Sequence, residues 1–101
     1  MKPGMDRALR SLERLLEADS VTRDLLARAH GDHLILGHME ETDTGEQIRD
    51  DRVRVTRLSR GRWGLSVKRH TGRWERTPFT GTLEEMVEAL CTFMQHLVAP
   101  Y

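Results

Sequence analysis

Two short segments constrain the fold more than any other part of the chain. Arg60-Gly61-Arg62-Trp63 and Thr71-Gly72-Arg73-Trp74 are near-copies set eleven residues apart. That period fits one strand plus one tight turn, repeated in an antiparallel meander. The residues between them alternate. Trp63, Leu65 and Val67 fall on one face of a strand, and Gly64, Ser66, Lys68 and His70 on the other. A two-residue turn at Thr71-Gly72 pairs His70 with Arg73, Arg69 with Trp74 and Lys68 with Glu75. In that register Trp74 joins Trp63, Leu65 and Val67 on the apolar face, and Lys68–Glu75 is a cross-strand ion pair. The four apolar residues are then expected to be buried together, against Leu90, Met94 and the leucines of the first helix.

Extended pattern continues upstream. Val53 and Val55 alternate with Arg52, Arg54 and Thr56, and Leu58 breaks the phase, which predicts a bulge or irregular turn before Gly61. His33 to Met39 reads as a strand apolar on both phases, hence covered on two sides. Asp43-Thr44-Gly45 is the turn after it. Pro78 marks the end of the last strand or a sheet edge.

Helical periodicity brackets this meander. Leu9, Leu12, Leu15 and Leu16 form one stripe over residues 6–18, with Asp6 as N-cap. Asp19-Ser20 caps a second helix or a kinked continuation, with Leu25, Leu26 and Ala29 inward and Gly31 just past its end. Thr82-Leu83-Glu84-Glu85 is a capping box that opens a C-terminal helix. Leu83, Met86, Val87, Leu90, Met94, Leu97 and Val98 follow its inner stripe, and Pro100 ends it. The expected architecture is α+β: an N-terminal helix or helix pair, a four-stranded antiparallel meander and a C-terminal helix, with the helices on one sheet face. At 101 residues this is one domain, 6–101, behind a disordered lead-in of residues 1–5.

Charge is the functional lead. Residues 52–76 hold nine Lys/Arg against one acid, Glu75, in a chain of zero net charge. Residues 32–51 hold seven acids against Arg49 alone. Alternation puts Arg52, Arg54, Lys68 and Arg73 on the face opposite the tryptophans, together with Ser66 and His70. One-sided positive charge on a sheet suits a phosphate backbone. Binders of single strands add aromatic platforms for the bases, and the expected register places both tryptophans away from that face. The simpler reading is a solvated face whose arginine stems cover apolar surface and protect an edge. The neighbouring acidic segment, through Asp43, Glu46, Asp50 or Asp51, is the natural partner for those cations.

Other constellations carry less. His30, His33 and His38 lie near Asp32, Glu40 and Glu41, but His33 and His38 sit at odd spacing and face opposite ways on a regular strand. A metal site is not expected. Cys91, the one cysteine, excludes an internal disulfide and reads as a small buried hydrophobe. Cys91 and His96 are too far around a helix to act together. No P-loop, Gly-rich dinucleotide turn or nucleophile–base motif is present, so neither an enzyme nor a cofactor is expected. The C-terminal stripe is broad. Cys91, Phe93 and Met94 extend it beyond what one sheet face needs, which predicts a dimer or partner interface. Met1 to Met5 lead into charged residues rather than an apolar signal, and no apolar run has spanning length, so a cytoplasmic protein with no membrane partner is expected.

Four antiparallel strands followed by a helix resembles, in element order, the repeating unit of the Whirly and Pur-alpha groups of single-strand nucleic-acid binders. A helix, a sheet and a helix resembles small type III secretion chaperones in outline. No residue is carried over from either. The leading expectation is a non-enzymatic interaction module, a homodimer that binds a protein. The alternative is nucleic-acid or polyanion binding through the basic face of residues 52–76.

Overall fold

A computed structural model describes residues 2–98. The elements run α1 (Met5–Glu17), β1 (Leu26–His30), β2 (His33–Glu41), β3 (Gln47–Ser59), β4 (Arg62–Lys68), β5 (Trp74–Gly81), α2 (Leu83–Phe93) and α3 (Gln95–Val98). The strands form one antiparallel sheet in chain order, β1-β2-β3-β4-β5. The α+β class, the meander and the flanking helices are as expected, but the sheet has five strands rather than four.

The extra strand is Leu26–His30, which was expected to be helical. Helix α1 stops because local side-chain bonds compete for its last turn. Thr22 Oγ1 donates to Leu16 O at 2.8 Å, and Asp19 Oδ1 accepts from the Val21 N–H at 2.8 Å. Thr22 is fully buried there. The chain then enters β1 and reverses through Gly31-Asp32, with His30 paired to His33. Gly31 has φ 59 and no other residue in the turn has positive φ, which matches the hairpin type that needs glycine first. Gly31 therefore serves a hairpin and not a helix C-terminus.

Core and open faces separate cleanly by alternation. Leu34, Leu36, Val53, Val55, Trp63 and Leu65 point to the helices and are buried, with Ala27, Ala29 and Val67 packed beside them. Met5, Leu12 and Leu16 of α1 and Met86, Val87, Ala89 and Leu90 of α2 close over them. Small Ala27 and Ala29 suit the close packing of α1 on β1. Residues 2–5, expected to precede the ordered domain, are tied to it. Met5 is fully buried, Lys2 pairs with Asp32 at 2.8 Å, and Pro3 O accepts from Arg57. The two hydrogen bonds from Lys2 and Arg57 hold the Asp32 carboxyl below the usual carboxylate range. Gly4, not Asp6, occupies the N-cap.

The C-terminal helix is interrupted. Thr82 and Glu85 form the expected capping box, with Thr82 Oγ1 accepting from the Glu85 N–H and Glu85 Oε1 from the Thr82 N–H. The helix breaks at Met94 and resumes as α3. Its terminal carbonyls are bound from the sheet: His38 Nε2 lies 2.8 Å from Val98 O, and Arg52 donates to Leu97 O at 2.9 Å. Pro100, expected to end the helix, lies outside the described residues.

Three irregularities shape the sheet. Arg52 is an extra residue on β3 opposite the Leu36/Gly37 step of β2. Gly37 is required at this bulge, because a β-carbon there would lie 2.1 Å from Asp50 O. Leu58 is a second extra residue, between Arg57 and Ser59, and this is the phase break legible in the sequence. The third lies on β5, where Thr77 to Phe79 bulge past Leu65 and Thr77 Oγ1 donates to Leu65 O at 2.8 Å.

Candidate functional site

The hairpin between β4 and β5 decides what the open face presents. Its turn is not the two-residue Thr71-Gly72 turn. Arg69 N–H donates to Arg73 O and Gly72 N–H to Arg69 O, each at 2.8 Å, so His70, Thr71 and Gly72 form a three-residue loop with Gly72 at φ 87. The pairing moves by one residue, and Lys68 faces Trp74 while Val67 faces Glu75. A slip of one residue sends every following side chain to the other face. Trp74 therefore leaves the core and stands half-buried on the open face. The expected joint burial of Trp74 with Trp63, Leu65 and Val67 is overturned, as is the Lys68–Glu75 pair. Glu75 pairs with Arg69 instead.

The open face is built in rows across the strands. The central row reads Arg28, Ile35, Arg54, Ser66, Arg76 from β1 to β5. On one side lies the row His30, His33, Thr56, Gly64, Thr80. On the other side Lys68 and Trp74 stand next to each other. The helices all pack on the opposite face. The small and apolar residues of this face lie low between longer polar side chains, with Ser66 4% exposed and Ile35 7%.

Four cations were expected to share this face, and the structure divides them. Arg54 and Lys68 are there. Arg52, being the bulged residue, turns to the helix side, where it pairs with Asp50 at 2.8 Å and binds Leu97 O. Arg73 is exposed and closes the hairpin loop opposite Arg69, and alternation from Trp74 puts it on the other face. Arg76 was not singled out from the sequence, and the register shift brings it into line with Ser66 and Arg54. The acidic segment neutralises cations around this group rather than within it: Asp51 pairs with Arg28 at 2.8 Å, Asp50 with Arg52, and Asp32 with Arg57. Among the described residues, Asp43 and Glu46 form no ion pair, and Arg54, Lys68 and Arg76 have no carboxylate partner.

Trp74 stands beside two of these three cations. The Arg54 guanidinium carbon lies 4.9 Å from its ring centroid, and Lys68 Nζ lies 5.9 Å away. Both distances are within cation–π range. Arg54 Nε is buried with no hydrogen-bond partner among the described residues. Beside this cluster a groove of about 430 Å³ runs over Gly64 and Ser66, walled by His33, Arg54 and Thr56 on one side and Arg76 and Pro78 on the other. Among the described residues no carboxylate lines it. His33 Nδ1 is 2.8 Å from Thr56 Oγ1, and burial first, then the charge of Arg54, pushes the His33 pKa down.

The expected interface residues on the C-terminal stripe also divide. Met94 is 8% exposed and belongs to the core, so it is not available to a second subunit. Cys91 is partly buried, and burial followed by Asp19 raises its pKa. Phe93 alone is open, at 64% exposure, stacked on Phe79 with centroids 5.5 Å apart. No cluster of three or more potential metal ligands occurs among the described residues, and none of the described helices is long and apolar enough to cross a membrane.

No family model, curated protein or solved structure is significantly similar to the chain.

Proposed function

We propose that the protein binds single-stranded nucleic acid across its open sheet face, as a binding module rather than a catalyst. One observation carries this reading. Arg54, Lys68 and Arg76, from three adjacent strands, have no carboxylate partner among the described residues and share a face that no described helix covers, where Arg54 and Lys68 lie against the half-buried Trp74 ring. Phosphates are held by such cations, and bases stack on aromatic rings and on guanidinium planes alike. Duplex DNA keeps its bases stacked on one another and has no use for Trp74. Fluorescence anisotropy of a labelled oligonucleotide at low salt is expected to show tighter binding of the single strand than of its duplex. Equal or tighter binding of the duplex would contradict the role given to Trp74.

A second reading, the homodimer that binds a protein, keeps one observation in its favour. Phe93, at the end of α2, is exposed and stacks on the partly buried Phe79 of the edge strand β5, whose outer backbone groups are unpaired in the sheet. This reading predicts a dimer that Phe93→Glu converts to a soluble monomer. Sedimentation of the wild type as a monomer at high micromolar concentration would end it.

A further inference from the structure

We infer that the groove over Gly64 and Ser66 is a subsite for a phosphomonoester, the terminal phosphate of a bound strand. The inference rests on the nucleic-acid reading and assigns one end of the ligand to one place on the face.

The groove exists because of side-chain size. Gly64 and Ser66 are small residues in the middle of β4, while their cross-strand neighbours Arg54, Thr56, Arg76 and Thr80 are longer. Leu58 folds toward Gly64 at its end, where a β-carbon would meet the leucine side chain at 3.1 Å. The β5 bulge at Thr77–Phe79 sets the outer wall. The result is a trough bounded by two guanidinium-bearing strands that lie roughly 10 Å apart, twice the spacing of neighbouring strands. That span lets one phosphate group sit above Ser66 and reach toward both arginines.

Charge and donors indicate which phosphate. Arg54 and Arg76 supply two full positive charges, with no acid among the described residues of the lining. Two guanidiniums match the two charges of a monoester better than the single charge of a diester link. Ser66 lines the groove, and its hydroxyl forms no hydrogen bond among the described residues. Arg54 connects the two halves of the site. Its guanidinium stacks near Trp74 on one side and lines the groove on the other. A terminal nucleotide with its phosphate in the groove therefore has its base within reach of Trp74, one row away along the sheet.

The test compares two oligonucleotides of one sequence, one with a 5′-phosphate and one with a 5′-hydroxyl, in equilibrium titrations with wild-type protein and with Arg76→Gln. A matched 3′-phosphate oligonucleotide identifies which end is held. One phosphorylated end is expected to bind at least about tenfold more tightly than the hydroxyl strand, as a charge-assisted pair predicts. Arg76→Gln should remove that difference while still binding the hydroxyl strand. Ser66→Ala, which deletes only the hydroxyl, should reduce the difference in a protein of unchanged far-ultraviolet circular dichroism. Equal binding of all three strands to the wild type would overturn the subsite and leave the face as a nucleic-acid binder. Binding of none would overturn both. Retention of the full difference in both variants would place the terminal phosphate elsewhere and overturn the subsite.

Discussion

Replacing Trp63 by alanine is expected to cost about 3–5 kcal/mol, the range for deleting a buried aromatic side chain. Replacing Trp74 should cost about 1 kcal/mol or less, the scale of an exposed cation–π contact. The two tryptophans close near-identical tetrapeptides, so composition and local sequence do not separate them. Their environments do. Trp63 is 6% exposed, within the helix-facing cluster of Leu65, Val55 and Leu90, whereas Trp74 stands half-buried on the other face beside Arg54 and Lys68. Domains of this size have a total stability of about 5–15 kcal/mol, so Trp63→Ala should leave a marginal fold, and Trp74→Ala should melt no more than roughly 4–8 °C below wild type. Urea unfolding of the two variants checks this. A Trp74→Ala protein as unstable as Trp63→Ala would restore the two-residue turn and remove the platform from the open face.

The contrast also shows where the sequence was sufficient and where it was not. Alternation over Val53, Val55, Trp63, Leu65 and Val67 assigns the core face without help, because each strand is long enough for its apolar side to be unambiguous. The capping box at Thr82 and the phase break at Leu58 are local signals, and local signals are legible. Register across a turn depends on loop length, and here one residue mattered. A two-residue Thr71-Gly72 turn of the type that matches strand twist requires positive φ at Thr71, a β-branched residue that strongly resists it. A three-residue loop puts only Gly72 there, at φ 87. That argument was available from the residues alone. So was the β1–β2 hairpin, since Gly31-Asp32 between two runs is a hairpin signal, but Leu25, Leu26 and Ala29 also fit a helical stripe. The turn of Arg52 to the helix side was harder to see. It follows from a bulge whose signal is Gly37, a glycine on the partner strand. Arg76 entered the site only through the slipped register, so no reading of its own neighbourhood would have found it.

Removing the three unpaired cations together, by Arg54→Gln, Lys68→Gln and Arg76→Gln, is expected to abolish the salt dependence of single-strand binding along with most of the affinity. Each phosphate contact on a single strand contributes a slope of roughly −0.7 in log K against log salt. Three contacts give a slope of about −2, and wild-type affinity should then fall roughly 15–20-fold between 50 and 200 mM salt. Each single variant should flatten the slope by about 0.7, with a similar loss for all sequences, because phosphate contacts carry no base information. Arg52→Gln is the informative contrast. Arg52 faces α3 and binds Leu97 O, so its loss should lower stability and leave the salt slope unchanged. Arg54, Lys68 and Arg76 have no carboxylate partners among the described residues, and glutamine keeps most of each stem, so the triple variant should fold as the wild type does. A triple variant that binds with the wild-type slope would move the interface away from this face.

The most direct test uses Trp74 itself as the reporter. In a Trp63→Phe background it is the only remaining tryptophan, because the chain has two. Its emission should be quenched as a single-stranded oligonucleotide is added at low salt, since a base stacks at or against the ring. The apparent affinity should decline with a log–log slope near −2 as salt is raised. An unchanged Trp74 emission at tens of micromolar protein and low salt, with either DNA or RNA, would contradict the assignment of the open face to nucleic acid.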